Sequence, residues 1–233
     1  MKISAFGIAD IKPGKQNVKD PRLDQVDKLV KAKKKTYLQV DLTAEDAALE
    51  ADAILALKDS AADLILKDLE FVETRLSRAA QESEKALLNK LKAALEKEEF
   101  LFGLALSAEE RQAMVAYGLL TTKPVITVQK EELEDFNSVL LKAVKDGGYV
   151  SFFTAGEKDT RAWLIKKGTT AWEAAGVIHS DIQQGFIRAE IISYDDYIAA
   201  GGESQAKQAG KLRLEQKDYV MQDADLANFR FNK

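Results

Sequence analysis

The chain has 233 residues, 31% of them charged, with 34 Lys and Arg against 38 Asp and Glu for a net charge of −4. This balance excludes a chain-wide basic coat for nucleic acid and an acidic tail, while 46% apolar residues suffice for one large or two small cores. The absence of cysteine excludes disulfides, thiolate metal sites and a cysteine nucleophile, and the lack of a signal-like start or a span-length apolar run sets the expectation of a soluble cytoplasmic protein.

Residues 1–59 mix short β-like runs, "KISAFGIA", "KTYLQVDL" and "DAILALK", with lysine-rich stretches. Between the first two, "GIADIKPGKQN" at 7–17 has the look of a phosphate-binding loop, with Gly14-Lys15 just beyond a strand-like start. "DPRLDQVDKLVKAKKK" reads as a short amphipathic helix capped by Asp20, with Pro21 in its first position and Leu23, Val26 and Val30 or Leu29 inward.

From about 60 to 100 there is neither Gly nor Pro, and Leu69, Val72, Leu76, Leu87 and Leu91 recur at helical spacing, which predicts a helical hairpin turning near Gln81 to Glu84. "SAEE" at 107–110 is a capping-box pattern opening a further short helix. "KPVITVQ" reads as a strand, and the helix after it carries Phe136, Val139, Leu140 and Val144 on one side. Gly147-Gly148 marks a domain boundary.

The last 85 residues alternate short strands, "YVSFFTA", "RAWLIKK", "GFIRAEII" and "NFRFN", with helices at "TTAWEAAGVI" and "SYDDYIAAG". Strand, strand, helix, strand is the order of a β-grasp, ubiquitin-like fold. Trp163, Trp172, Phe152 and Phe153 could stack bases, but strand alternation sends at least half of them into the core. His179 is the single histidine, so a metal site or a Ser-His unit has no second member; its ordinary role is at a helix end. Asp195-Asp196 and Glu131-Glu132 sit at helix starts, where acidic groups complement the dipole.

Residues 149–232, with "FTAGEK", "RAW", "AAGVIH", "GFIRAE", "SYDD", "AGKLRLE" and "FRFN", resemble the TGS domain of the YchF subfamily of Obg-like ATPases. Shorter stretches are similar to that family in the same order: "DPRLDQVDKLVKAKKK", "VDLT" against its "VDIAGL" switch, "ADLILKDLEFVETRL" against its coiled-coil insertion, and "LLTTKPVITV". The resemblance implies an α/β plus α+β chain. A shrunken P-loop-type α/β remnant (1–59 and 123–148) would carry an inserted helical hairpin (60–122), followed by a TGS β-grasp domain (149–233).

Against the family's G-x-x-x-x-G-K-S, Gly14 and Lys15 match the final Gly-Lys. Ala9 stands for the first Gly, Gln16 for the metal-binding hydroxyl, and Pro13 removes an N–H donor. "NVKDPR" follows where the phosphate-binding helix belongs. Asp41 keeps a magnesium-side acid, but Ala44 replaces the switch Gly; Gln129 replaces the base-reading Asn, with Glu132 in register. The leading expectation is a non-catalytic, cofactor-free regulatory module. It would bind ribosome or RNA through Lys158, Arg161, Lys166, Lys167, His179, Arg188, Lys211 and Arg213, with a second copy or protein partner covering a sheet face bared by the missing helices. The alternatives are a minimal ATPase or GTPase using Gly14, Lys15, Asp41, Gln129 and Glu132 with ATP or GTP and Mg, or nucleotide binding without hydrolysis. Neither a membrane nor DNA is expected as a partner.

Overall fold

The computed structural model describes residues 1–9 and 11–232. In chain order come β1 (Lys2–Phe6), β2 (Gly14–Val18), α1 (Pro21–Val30), β3 (Lys35–Thr36), β4 (Leu38–Thr43), β5 (Ala53–Leu57), α2 (Ala61–Leu76) and α3 (Glu82–Leu95). They continue with α4 (Ala108–Val115), β6 (Val125–Val128), α5 (Phe136–Asp146), β7 (Tyr149–Ala155), β8 (Thr160–Lys166), α6 (Ala171–Ile178) and α7 (Ser180–Gln184). Last are β9 (Phe186–Ile192), α8 (Tyr194–Ala200), α9 (Glu203–Gln208), β10 (Arg213–Glu215) and β11 (Leu226–Phe231). The fold is mixed α/β with two sheets, and the chain forms two compact units, 1–16 with 40–147 and 17–39 with 148–233.

The first unit is built on a sheet of order β2-β4-β1-β5-β6, in which β1 runs parallel to β4 and β5, and β5 parallel to β6. Parallel strands buried on both faces read as unbroken apolar runs, and Ile3–Phe6 and Ala53–Ala56 are all buried. Leu64 of α2 packs with Phe6, Ile54 and Ala56 on one side, while α5 buries Val139, Leu140, Ala143 and Val144. The central strands are therefore covered, against the expectation of a bare face there. The hairpin of α2 and α3 turns over residues 77–81 and closes its own core with Val72, Leu87, Leu88, Leu91 and Leu95. Ser107 and Glu110 make the capping box: Ser107 Oγ accepts from Glu110 N at 3.1 Å, and Glu110 Oε2 from Ser107 N at 2.8 Å.

The second unit's sheet has the order β10-β9-β11-β7-β8-β3. β7 and β8 form an antiparallel hairpin, β11 lies parallel beside β7, and β9 pairs antiparallel with β11. Phe152, Ile165, Ala174, Ala175, Ile191, Met221 and Phe229 fill the core under α6. The compact units divide the chain differently from the composition zones, because α1 packs on β7 and β8 and β3 extends the sheet beside β8. "KTYLQVDL", which reads as one strand, is thus split at Tyr37 between the two sheets.

Candidate functional site

β1 ends at Phe6, and Gly7 turns the chain at φ +68°, so close to α2's approach that a Cβ there would lie 2.3 Å from Ser60 Oγ. Only glycine satisfies both demands. Because β4 and β5 flank β1 and the chain visits them in succession, the carboxyl end of β1 is the switch point of this sheet, where doubly wound folds bind ligands. A cavity of about 350 Å³ opens there, lined by Phe6, Gly7, Glu45, Ser60, Asp63, Leu66, Lys67 and Glu70. Among the described residues its one lysine is already engaged: Lys67 Nζ lies 2.9 Å from Glu45 Oε1 and 4.6 Å from the centre of the Phe6 ring. The walls therefore present Glu45, Asp63 and Glu70 beside one paired ammonium, a local excess of carboxylates.

The nucleotide candidates are not gathered at this crevice. Gly14 opens the edge strand β2, with Lys15 exposed on it, and among the described residues no helix starts at Lys15 or Gln16. Asp41 sits opposite Lys2, at the far end of β1 from Gly7, on the order of 16 Å along the strand. Gln129 and Glu132 close the turn after β6: Gln129 N donates to Glu132 Oε2 at 2.7 Å, and Lys142 Nζ lies 3.8 Å from Glu132 Oε1. Both are thus accounted for as a helix start. Lys123, which the sequence reading passed over, reaches under the segment after β4, donating to Ala48 O at 2.9 Å, Ala51 O at 2.7 Å and Leu49 O. Burial pushes its pKa down, against Asp52 and Glu50.

The basic candidates of the second unit spread over its surface. Lys158 lies in the β7–β8 turn, whereas Lys166 and Lys167 are at the other end of β8, roughly 20 Å away along the strand. Arg161 stacks on Trp163 with its Cζ 4.0 Å from the ring centre, and Trp163 in turn stacks on the buried Phe152. Phe152 and Phe153 are wholly buried; Trp172 is 39% exposed. His179 Nδ1 accepts from Asp181 N at 3.1 Å as the cap of α7, beside an open cavity of about 910 Å³ that it shares with Ile182, Gln184 and Phe231. Lys211 pairs with Asp196 at 3.0 Å. Arg213 donates to Glu215 at 3.0 Å and to the Tyr219 hydroxyl at 3.0 Å; burial and Asp225 push that phenol up to about 12. Arg188 is exposed and faces Arg230 across the β9–β11 pair. Arg230 and its partner Glu190 were missed, since "GFIRAE" and "FRFN" reveal their shared arginine position only once the antiparallel register is known.

These features define a mixed α/β protein with a first sheet in which β4, β1, β5 and β6 run parallel, a switch-point crevice and a second, largely antiparallel sheet. Residues 149–232 match the family model YchF-GTPase_C, described as a protein of unknown function, DUF933. The Ribosome-binding ATPase YchF of Bacillus subtilis is 34% identical over 73% of this chain and 64% of its own length, and that of Haemophilus ducreyi is 34% identical over the same shares. Obg-like ATPase 1 of Xenopus laevis is 47% identical over 41% of the chain and 25% of its own length. The structure of the Schizosaccharomyces pombe YchF GTPase superposes with a TM-score of 0.75 at 20% identity, covering 98% of this chain and 97% of that one, a likeness of fold. The chain belongs to the YchF subfamily of Obg-like ATPases. It spans 64% of the length of the first curated relatives it matches.

Proposed function

We propose that this YchF-family chain works by binding the ribosome, in a cytoplasmic setting, with the second unit as its TGS module and without turning over nucleotide. The acidic crevice carries this reading: Glu45, Asp63 and Glu70 line the switch point, and Gly14-Lys15 lies in an edge strand instead of wrapping phosphate. In the second unit the order β8-β7-β11-β9-β10 sets the last strand between the first and third, which supports a β-grasp assignment. The relatives named as ribosome-binding ATPases support ribosome association.

Those same names support a second reading at least as well, in which the chain is a compact ATP or GTP hydrolase using Gly14, Lys15, Asp41 and Glu132 with magnesium. Two measurements separate them. Under the binding reading, the protein pellets with ribosomes, raised salt weakens this, and reversing Lys166 and Lys167 to Glu reduces it at least several-fold. Calorimetric titration with ATP or GTP and magnesium then gives no heat of binding. Saturable, magnesium-dependent turnover lost in Lys15→Ala, with ribosome pellets empty, reverses the order.

A further inference from the structure

On the second sheet, Ala189, Ile191 and Phe229 point into the core under α6, so strand alternation turns Arg188, Glu190, Asn228 and Arg230 to the opposite face. The register sets Asn228 against Glu190 and Arg230 against Arg188. Glu190 is buried at 7% exposure and spends both oxygens on its neighbours: Oε2 accepts from Asn228 Nδ2 at 2.9 Å, and Oε1 from Arg230 Nη2. It thereby fixes the Arg230 guanidinium while 57% of that side chain stays exposed. Among the described residues Arg188 has no carboxylate within ion-pair distance.

Like charges placed directly across a strand pair destabilise it. Here the one carboxylate between the strands is paired with Arg230, and Arg188 opposite it is left with an uncompensated charge. The register also slips at this point: Arg230 pairs with Arg188 but Phe231 with Phe186, which extrudes Ile187, itself 44% exposed. Such bulges bend a strand and re-aim its side chains. Leu214, paired with Glu190 from the other side, adds a half-exposed apolar surface on the same face.

We propose that Arg188 and Arg230 form a two-arginine clamp for a phosphodiester group of RNA, with Glu190 and Asn228 as positioning residues and Leu214 meeting the adjoining sugar or base. Guanidinium forks match the two free oxygens of a phosphodiester, which stays charged at every physiological pH, and sugar contact accounts for the apolar neighbour. The clamp rests on the ribosome-binding reading and names the surface it uses.

The test is fluorescence anisotropy of the full chain with a labelled oligouridine of about 12 nucleotides, over a salt series. Wild type binds with an affinity that falls as salt rises. Arg188→Ala and Arg230→Ala each weaken binding at least about 5-fold and flatten the slope of log affinity against log salt by about 0.7 for the lost phosphate contact. Arg188→Glu, at an exposed position whose change leaves the melting temperature unaltered, weakens it further. The clamp is overturned if wild type does not bind the oligonucleotide, if Arg188→Glu binds as tightly as wild type, or if a poly-glutamate peptide competes as well as oligouridine. Ribosome pelleting keeps the two ideas apart. Pelleting that survives in variants with unchanged RNA affinity sinks the clamp alone. Loss of RNA affinity in the variants while wild type never pellets sinks the ribosome reading alone.

Discussion

Asp68 lies in α2 at 3% exposure, and its charge is met by hydrogen bonds instead of a cation. Oδ1 accepts from Leu120 N at 2.8 Å, and Oδ2 from Thr121 N and Thr121 Oγ1, each at 2.7 Å. Burial pushes its pKa up, against those three bonds. Removing the acceptor leaves buried donors without partners, which costs about 1–3 kcal/mol each. Asp68→Ala should therefore lower stability by about 2–4 kcal/mol, read from denaturant midpoints at constant m-value; a loss under about 0.5 kcal/mol would refute the tie. Nothing in "LKDLE" distinguishes this aspartate from its solvated neighbours, because its partners lie 52 and 53 residues further on. Gly14-Lys15 is the converse. The dipeptide is legible as a motif fragment, yet its neighbours on the sheet make it a strand edge, and only the pairing reveals that.

Helix starts were the most legible elements, since a cap and its partner are two or three residues apart. Asp20 Oδ1 accepts from Arg22 N at 2.9 Å with Pro21 in the first position, as the local pattern predicts, and Val30 turns further inward than the 42% exposed Leu29. The Thr170–Glu173 box obeys the same rule but went unread: Glu173 Oε2 accepts from Thr170 N at 2.7 Å. Backbone bonds to these carboxylates, helped by Lys90 at Glu110 and by the Thr170 hydroxyl at Glu173, hold both below the ordinary glutamate value of 4.5. A folded pKa below the unfolded one gives stability that is full above the unfolded value and is lost as pH falls through the folded value. Melting temperatures followed by circular dichroism should thus drop between pH 7 and pH 3. The drop should be smaller in a Glu110→Gln, Glu173→Gln double variant, because Gln keeps the cap without the titrating charge. Equal drops in the two proteins would remove these caps from the acid response.

At the scale of the whole chain, the family match begins at residue 149, but the compact second unit also takes in residues 17–39. That recruitment escapes a linear reading, because "DPRLDQVDKLVKAKKK" looks like part of the region it interrupts. The ties are specific. Leu23 and Val26 are fully buried, Arg22 pairs with Asp20 and Asp223 at 2.7 Å each, and its guanidinium lies 6.0 Å from the centre of the Phe153 ring. β3 sets Lys35 against Thr160, Thr160 N donates to Lys34 O at 2.9 Å, and Lys33 N donates to Glu157 O at 3.0 Å. Burying side chains such as Leu and Val is worth about 1.5–3 kcal/mol each, so a fragment of residues 149–233 lacking this segment should lose roughly 3–6 kcal/mol from its two apolar anchors alone. For a unit of this size that is a large part of the total. The expected result is a fragment with a broad, early thermal transition that binds a hydrophobic dye. A synthetic peptide of residues 17–39 added in excess should sharpen the transition and raise its midpoint, whereas the same peptide with Leu23→Asp and Val26→Asp should do neither. A fragment that melts sharply and ignores both peptides would show that the β-sheet core under α6 sustains the unit without α1 and β3.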